Sequence, residues 1–202
     1  MSFIDFDTTP KTEPTHYLWV EKYRPTNIDN YIGNQQLKET IKSYIEKHDI
    51  PHFLFYGTAG TGKTTLAKVI TKNIDCDVMY INASDENSVD NVRTKIKGFA
   101  SSVGFRKIKV IILDEADFLS PEAQAALRNM METYSLTTRF ILTCNYVEKI
   151  IPALVSRCQT YKIEPLSKKE VAVHLTNILN KENCKYKPED IGYIVNTYYP
   201  DV

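Results

Sequence analysis

Along this chain the apolar positions change their period several times, and each change marks an element. Leu37, Ile41 and Ile45 recur at four-residue spacing, which predicts a helix over 35–47 with Asn34 as its cap. Residues 52–56 form a short apolar run that stops at glycines and read as a buried strand. A helix over 63–73 and a strand over 78–81 follow, then a helix over 90–100 with Val92, Ile96 and Phe99 on one face. Residues 110–113, Val-Ile-Ile-Leu, are the clearest buried strand. Ser120-Pro121 supplies a cap and a first-turn proline for a helix running to about Tyr134. Strands are predicted at 140–143 and 159–163.

Strands alternating with helices predict an α/β fold, a parallel sheet covered on both faces. After Glu164-Pro165 the pattern becomes purely helical, with Val171, Leu175, Ile178 and Leu179 on one face. The expected division is a polar, proline-containing lead-in over 1–15, an α/β domain over 16–165, and a small helical domain beginning within 166–202. There is no internal repeat and no low-complexity segment.

Composition narrows the setting without naming a partner. The 202 residues are 43% hydrophobic, and 25 Lys plus Arg balance 25 Asp plus Glu. Zero net charge gives no global pull toward nucleic acid, so any DNA contact must come from a local patch. No apolar run approaches the ~18 residues of a membrane span. The first residues carry Asp5, Asp7 and Glu13 and lack the basic start and apolar stretch of a signal peptide. Cys76, Cys144, Cys158 and Cys184 are scattered without a CxxC pair, which fits a reducing, intracellular location and argues against a zinc site.

The strongest chemical signal is Gly57-Thr-Ala-Gly-Thr-Gly-Lys63-Thr64, which matches GxxxxGK[ST] between a predicted strand and a predicted helix. Glycines let such a loop wrap with its N–H groups turned inward, and the helix N-terminus adds its dipole. Gly57, Thr58, Ala59, Gly60, Thr61, Gly62, Lys63, Thr64 and Thr65 are the expected ATP phosphate cradle. Lys63 would reach the β- and γ-phosphates, and the Thr64 hydroxyl would hold Mg²⁺.

An apolar strand ending in Asp114-Glu115 supplies the second part that P-loop enzymes need. Asp114 would order the magnesium, and Glu115 would polarise the attacking water as general base. Taken alone, the pair would be an acidic turn after a core strand. Asp114-Glu-Ala-Asp117 also spells a helicase signature, but such helicases need a second motor domain for which 202 residues leave no room. Asn145, ending the next apolar strand, could sit near the γ-phosphate, although an Asn there is more often a turn former.

In this order, WVEKYRP (19–25), GTAGTGKT (57–64), LDEAD (113–117), QAALRNMME (124–132), FILTCN (140–145) and SRC (156–158) resemble the small subunits of sliding-clamp loaders. The likeness is to the archaeal, eukaryotic and phage branch of the AAA+ superfamily and covers nearly all of 17–202. Bacterial counterparts carry a zinc-binding cysteine cluster after the P-loop, which is absent here. The resemblance implies a P-loop AAA+ sheet sandwiched by helices and followed by the start of a helical lid. It implies that Asn145 senses the γ-phosphate and that Arg157 is an arginine finger acting in trans on ATP held by an adjacent subunit. Val20, Tyr23 and Ile32 fall where the family holds adenine; by residue type alone, Trp19 and Tyr23 would be core anchors.

Family members contact primer–template DNA through the N-termini of two helices. Here that nominates Arg93, Lys95 and Lys97, and Arg128 with Gln124; relatives often have arginine where Asn87 stands. A solvated basic face explains Lys95 and Lys97 equally well. Phe99, Ala100 and Phe105 resemble the part that touches the sliding clamp. In the family, the stretch ending at Val202 leads into a lid arginine and then a collar domain, so weak nucleotide closure and poor ring assembly are expected of this length of chain. The expected assembly is a pentameric ring with other loader subunits. The alternatives are an AAA+ helicase-type motor or helicase loader, and a non-enzymatic nucleotide-binding scaffold, which would have no need of Glu115.

Overall fold

The computed structural model describes residues 18–85 and 89–200, so the 1–15 lead-in, Asn87 and the terminal residues near Val202 lie outside the described residues. Its helices are α1 (Trp19–Lys22), α2 (Gln35–Glu46), α3 (Lys63–Lys72), α4 (Val89–Ser101), α5 (Pro121–Thr133), α6 (Pro152–Val155), α7 (Lys168–Lys181) and α8 (Pro188–Tyr198). Its strands are β1 (Phe53–Tyr56), β2 (Cys76–Asn82), β3 (Ile108–Asp114), β4 (Thr138–Cys144) and β5 (Gln159–Lys162). They form one parallel sheet in the order β2-β3-β4-β1-β5. The predicted α/β class holds.

The strands are apolar on both faces because helices cover both. Leu54, Ile111, Leu113, Phe140 and Leu142 point into a core closed by α4, α5 and α6. The alternate residues Phe53, Phe55, Val110, Ile112 and Ile141 point the other way, against α2 and α3. Such two-sided burial yields continuous apolar runs rather than alternation, which is why 110–113 was legible.

Helix starts agree with the side chains that cap them. Asn34 accepts from Leu37 N–H at 3.1 Å, and Ser120 accepts from Ala123 N–H at 3.3 Å. Ser167 and Glu170 form a reciprocal capping box at the head of α7. In the C-terminal helices, Val171, Ile191 and Val195 form a separate small cluster that packs α7 against α8.

β2, β3 and β4 run longer than their apolar runs predict, while β1 and β5 each fall one residue short. β3 begins at Ile108 and includes Lys109, which is buried. Its ammonium donates to the carbonyls of Phe99 (2.8 Å) and Ala100 (3.2 Å) and so caps the end of α4. A polar residue with such a partner joins the ladder without breaking it, and hydropathy cannot foresee the partner.

Candidate functional site

The phosphate loop joins β1 to α3 at the carboxyl ends of the central strands. Two glycines are dictated by geometry. Gly57 has φ 150°, and a Cβ there would lie 2.3 Å from the Ile163 carbonyl oxygen. Gly62 begins α3 in the left-handed conformation, φ 86°, against the Tyr31 ring. Lys63 is buried, and its Nζ donates to the carbonyls of Gly57 (2.9 Å) and Thr58 (2.7 Å), inside the loop. Burial pushes its ammonium below its ordinary pKa.

Asp114, at the end of β3, gathers three hydroxyls. Thr64 Oγ1 donates to its Oδ1 at 2.7 Å, Tyr80 Oη donates to its Oδ2 at 2.6 Å, and Thr143 Oγ1 donates to Oδ1. Burial and the neighbouring Asp114 carboxylate raise the Tyr80 hydroxyl above its usual range. Thr143 in turn accepts from Glu115 N–H at 3.1 Å. Glu115 sits at φ 55°, a left-handed conformation uncommon outside glycine and typical of functional turns. Thr64, Lys63, Asp114, Glu115, Thr143 and Asn145 thereby line one cleft of about 140 Å³ with the loop residues Ala59 and Gly60. Thr64 and Asp114 offer two adjoining hard oxygens, the donor type that a divalent cation such as magnesium takes.

Asp117 is a site residue that the pattern missed. Its Oδ2 accepts the backbone N–H groups of Asn145 (3.3 Å) and Tyr146 (3.2 Å), so it ties down the turn that carries Asn145. The available signal was the fourth letter of the Asp-Glu-Ala-Asp run. Tyr80 and Thr143 carried no signal, because only the sheet register brings them to Asp114.

A second groove, of about 390 Å³, leads away from the loop. Val20, Tyr23 and Ile32 line it on one side, with Thr61, Gly62 and Thr65 at the end next to the loop. On the far side stand His174, Leu175 and Ile178 of α7. Tyr23 Oη and Lys22 Nζ both donate to Glu182 Oε1, at 2.7 and 2.5 Å, and join α1 to the end of α7. Burial lowers the His174 pKa. Trp19 is not a core anchor: it is 40% exposed on the groove wall.

Arg157 stands elsewhere, just past α6. Its guanidinium donates to Glu132 Oε1 and to the Ala153 carbonyl, and the side chain remains partly exposed. Arg93, Lys95 and Lys97 are exposed along α4, and Arg93 and Lys97 border a groove of about 410 Å³ between α4 and α5. Arg128 is half-buried and donates to Asn129 at 2.9 Å. Gln124 cannot accompany it toward DNA: the side chain is 1% exposed. Its amide is saturated by the carbonyls of Leu119 and Lys149 and by Ile151 N–H. Of the residues expected at the clamp, Phe105 is 100% exposed and Phe99 half-buried. Ala100 is buried in packing and offers no surface.

A model of the ATPase family associated with various cellular activities matches residues 53–165. The chain is 46% identical to a probable replication factor C subunit 5 of Dictyostelium discoideum, over 83% of this chain and 51% of that protein. It is 44% identical to a replication factor C small subunit of Halobacterium salinarum, over 88% of this chain and 57% of that protein. It thus spans about half the length of these relatives. Among solved structures, a Thermotoga maritima RuvB Holliday junction branch migration motor superposes with a TM-score of 0.69 at 16% identity. That likeness covers 88% of this chain and 61% of the RuvB chain, and at such low identity it concerns the fold alone.

Proposed function

The chain belongs to the AAA family, the ATPases associated with various cellular activities, and on that premise we propose that it is the ATP-driven motor of a sliding-clamp loader subunit. One observation carries the reading: Lys63, Thr64, Asp114, Glu115 and Asn145 converge on a single cleft, while Arg157 lies outside it. A site with every part but its cationic finger is one that a neighbouring subunit completes.

In this reading the phosphate loop binds ATP and Lys63 holds the β- and γ-phosphates. Adenine occupies the groove between Val20, Tyr23, Ile32 and α7. Thr64 and Asp114 hold magnesium, which neutralises phosphate charge when bound. Glu115 takes up the proton of the attacking water, and Asn145 orients that water against the γ-phosphate. Arg157 of one subunit stabilises the charge developing on the nucleotide of the next, worth a factor of ~10³–10⁵ in related NTPases. Residues 166–202 are the opening of a lid whose α7 closes over the base.

The replication factor C relatives support the larger setting, a ring of loader subunits that acts on a clamp and on primer–template DNA. ATP would favour a ring arrangement that holds the clamp open, and DNA would align the fingers so that hydrolysis releases it. Arg93, Lys95, Lys97 and Arg128 are the proposed DNA contacts, and Phe105, with the rim of Phe99, is the proposed clamp contact.

The test is ATP hydrolysis by the whole protein assembled with its partner subunits, with and without clamp and primer–template DNA. Strong stimulation that needs both is the expected result. A rate raised by DNA but indifferent to the clamp would overturn the reading in favour of a helicase-type motor.

A further inference from the structure

Arginine presents five N–H donors in a rigid planar fork. In Arg157, Nε and Nη2 both donate to Glu132 Oε1, with Nε at 3.0 Å, and Nη1 donates to the Ala153 carbonyl at 2.7 Å. The carboxylate therefore holds one side of the fork and the α6 backbone holds the other. The two N–H groups that remain, one on each Nη, lie on the terminal edge, the edge that can grip two oxygens of a phosphate.

Both anchors sit on helices packed into the core. Glu132 lies in the last turn of α5, whose Leu127 and Met131 are buried in the main core, and α6 is pinned to the same core by Leu154. Arg128, the other cation near Glu132, reaches it only at 4.0 Å, so Arg157 is the carboxylate's principal partner. The pair is half-exposed, and such ion pairs add little to stability. Its effect is on orientation.

We infer that Glu132 is a positioning residue that holds the Arg157 guanidinium with its terminal edge turned outward, toward the nucleotide of a neighbouring subunit. The inference rests on the reading of Arg157 as a finger acting in trans. Glu132 does not compete with phosphate, because it occupies the side of the fork and leaves the end open. Without it, the long arginine stem samples many rotamers and the finger arrives misaligned, and a displacement of about 1 Å can cost ~10²-fold in rate.

The experiment measures clamp- and DNA-stimulated hydrolysis by the loader assembled with this chain, comparing Glu132→Ala, Glu132→Gln, Arg157→Ala and the doubly substituted chain. We expect Glu132→Ala to lower kcat by about 10- to 100-fold with KM for ATP unchanged. Glu132→Gln, whose amide oxygen still accepts, should restore part of the loss. The double substitution should be no slower than Arg157→Ala alone, because two residues that act through one interaction are not additive. A Glu132→Ala rate equal to or above that of the unsubstituted loader, while Arg157→Ala is slow, would overturn the positioning role and leave the finger intact. Additive losses would overturn it as well, by assigning Glu132 a separate effect. An Arg157→Ala loader at full rate would sink the trans-finger reading itself. Thermal unfolding should barely move in Glu132→Ala, which separates misorientation from misfolding.

Discussion

At the scale of single residues, the site depends on groups that do no chemistry but fix those that would. Asp117 is the clearest case, buried beneath the Asn145 turn with its Oδ2 on two backbone N–H groups. Asp117→Ala should therefore cost about 2 kcal/mol, since a hydrogen bond to a charged group contributes roughly 1.5–3 kcal/mol and the buried Asp117 Oδ1 lacks a partner. It should also lower turnover far more than ATP affinity, by about 10²-fold through displacement of Asn145. Urea denaturation and steady-state kinetics measure the two effects. Asp117→Asn, which keeps an acceptor, should fall between. A turnover unaffected in Asp117→Ala would show that the Asn145 turn holds its place without it.

At the scale of elements, the strand–loop–helix unit around Lys63 was fully legible, because its glycines are required by the turn itself. Gly57 is the strictest of them. Gly57→Ala should cost about 1–3 kcal/mol from the backbone conformation alone, with the clash on the Ile163 carbonyl added. Nucleotide binding should be lost with it, as read by titration with a fluorescent ATP analogue. A variant that bound normally would mean that the loop can be rebuilt around a side chain. Element ends were less legible. Lys109 and Thr138 sit inside strands because the fold satisfies them, whereas a pattern of apolar runs stops short of both. Gln124 was misjudged for the same reason: it carries the residue type of a surface contact, and two of its partners, Lys149 and Ile151, are distant in sequence.

At the scale of the whole molecule, the groove proposed to hold the base exists only because the N-terminal segment and the C-terminal helices meet over the phosphate loop. Glu182 is the visible tie, accepting from both Lys22 and Tyr23 across 160 and 159 residues. Glu182→Ala should loosen α7 from α1 and weaken ATP binding by about two- to fivefold, the scale of an exposed ionic contact, while kcat at saturating ATP holds. Isothermal titration on the chain and kinetics on the assembled loader read these separately. A fall in kcat without a change in affinity would assign Glu182 a role in catalysis rather than in closure.

The sequence by itself determined the class of fold and the phosphate chemistry. Both are written in local terms: the period of apolar residues follows from strand and helix geometry, and a phosphate loop needs its glycines, lysine and threonine within one short turn. The order of motifs added the family. Only the tertiary structure decided which residues support the site. Tyr80 and Thr143 reach Asp114 through strand pairing, Asp117 reaches Asn145 between the carboxyl ends of the adjacent strands β3 and β4, and Glu132 reaches Arg157 from another helix. Such contacts depend on how separate elements pack, and no spacing along the chain encodes them.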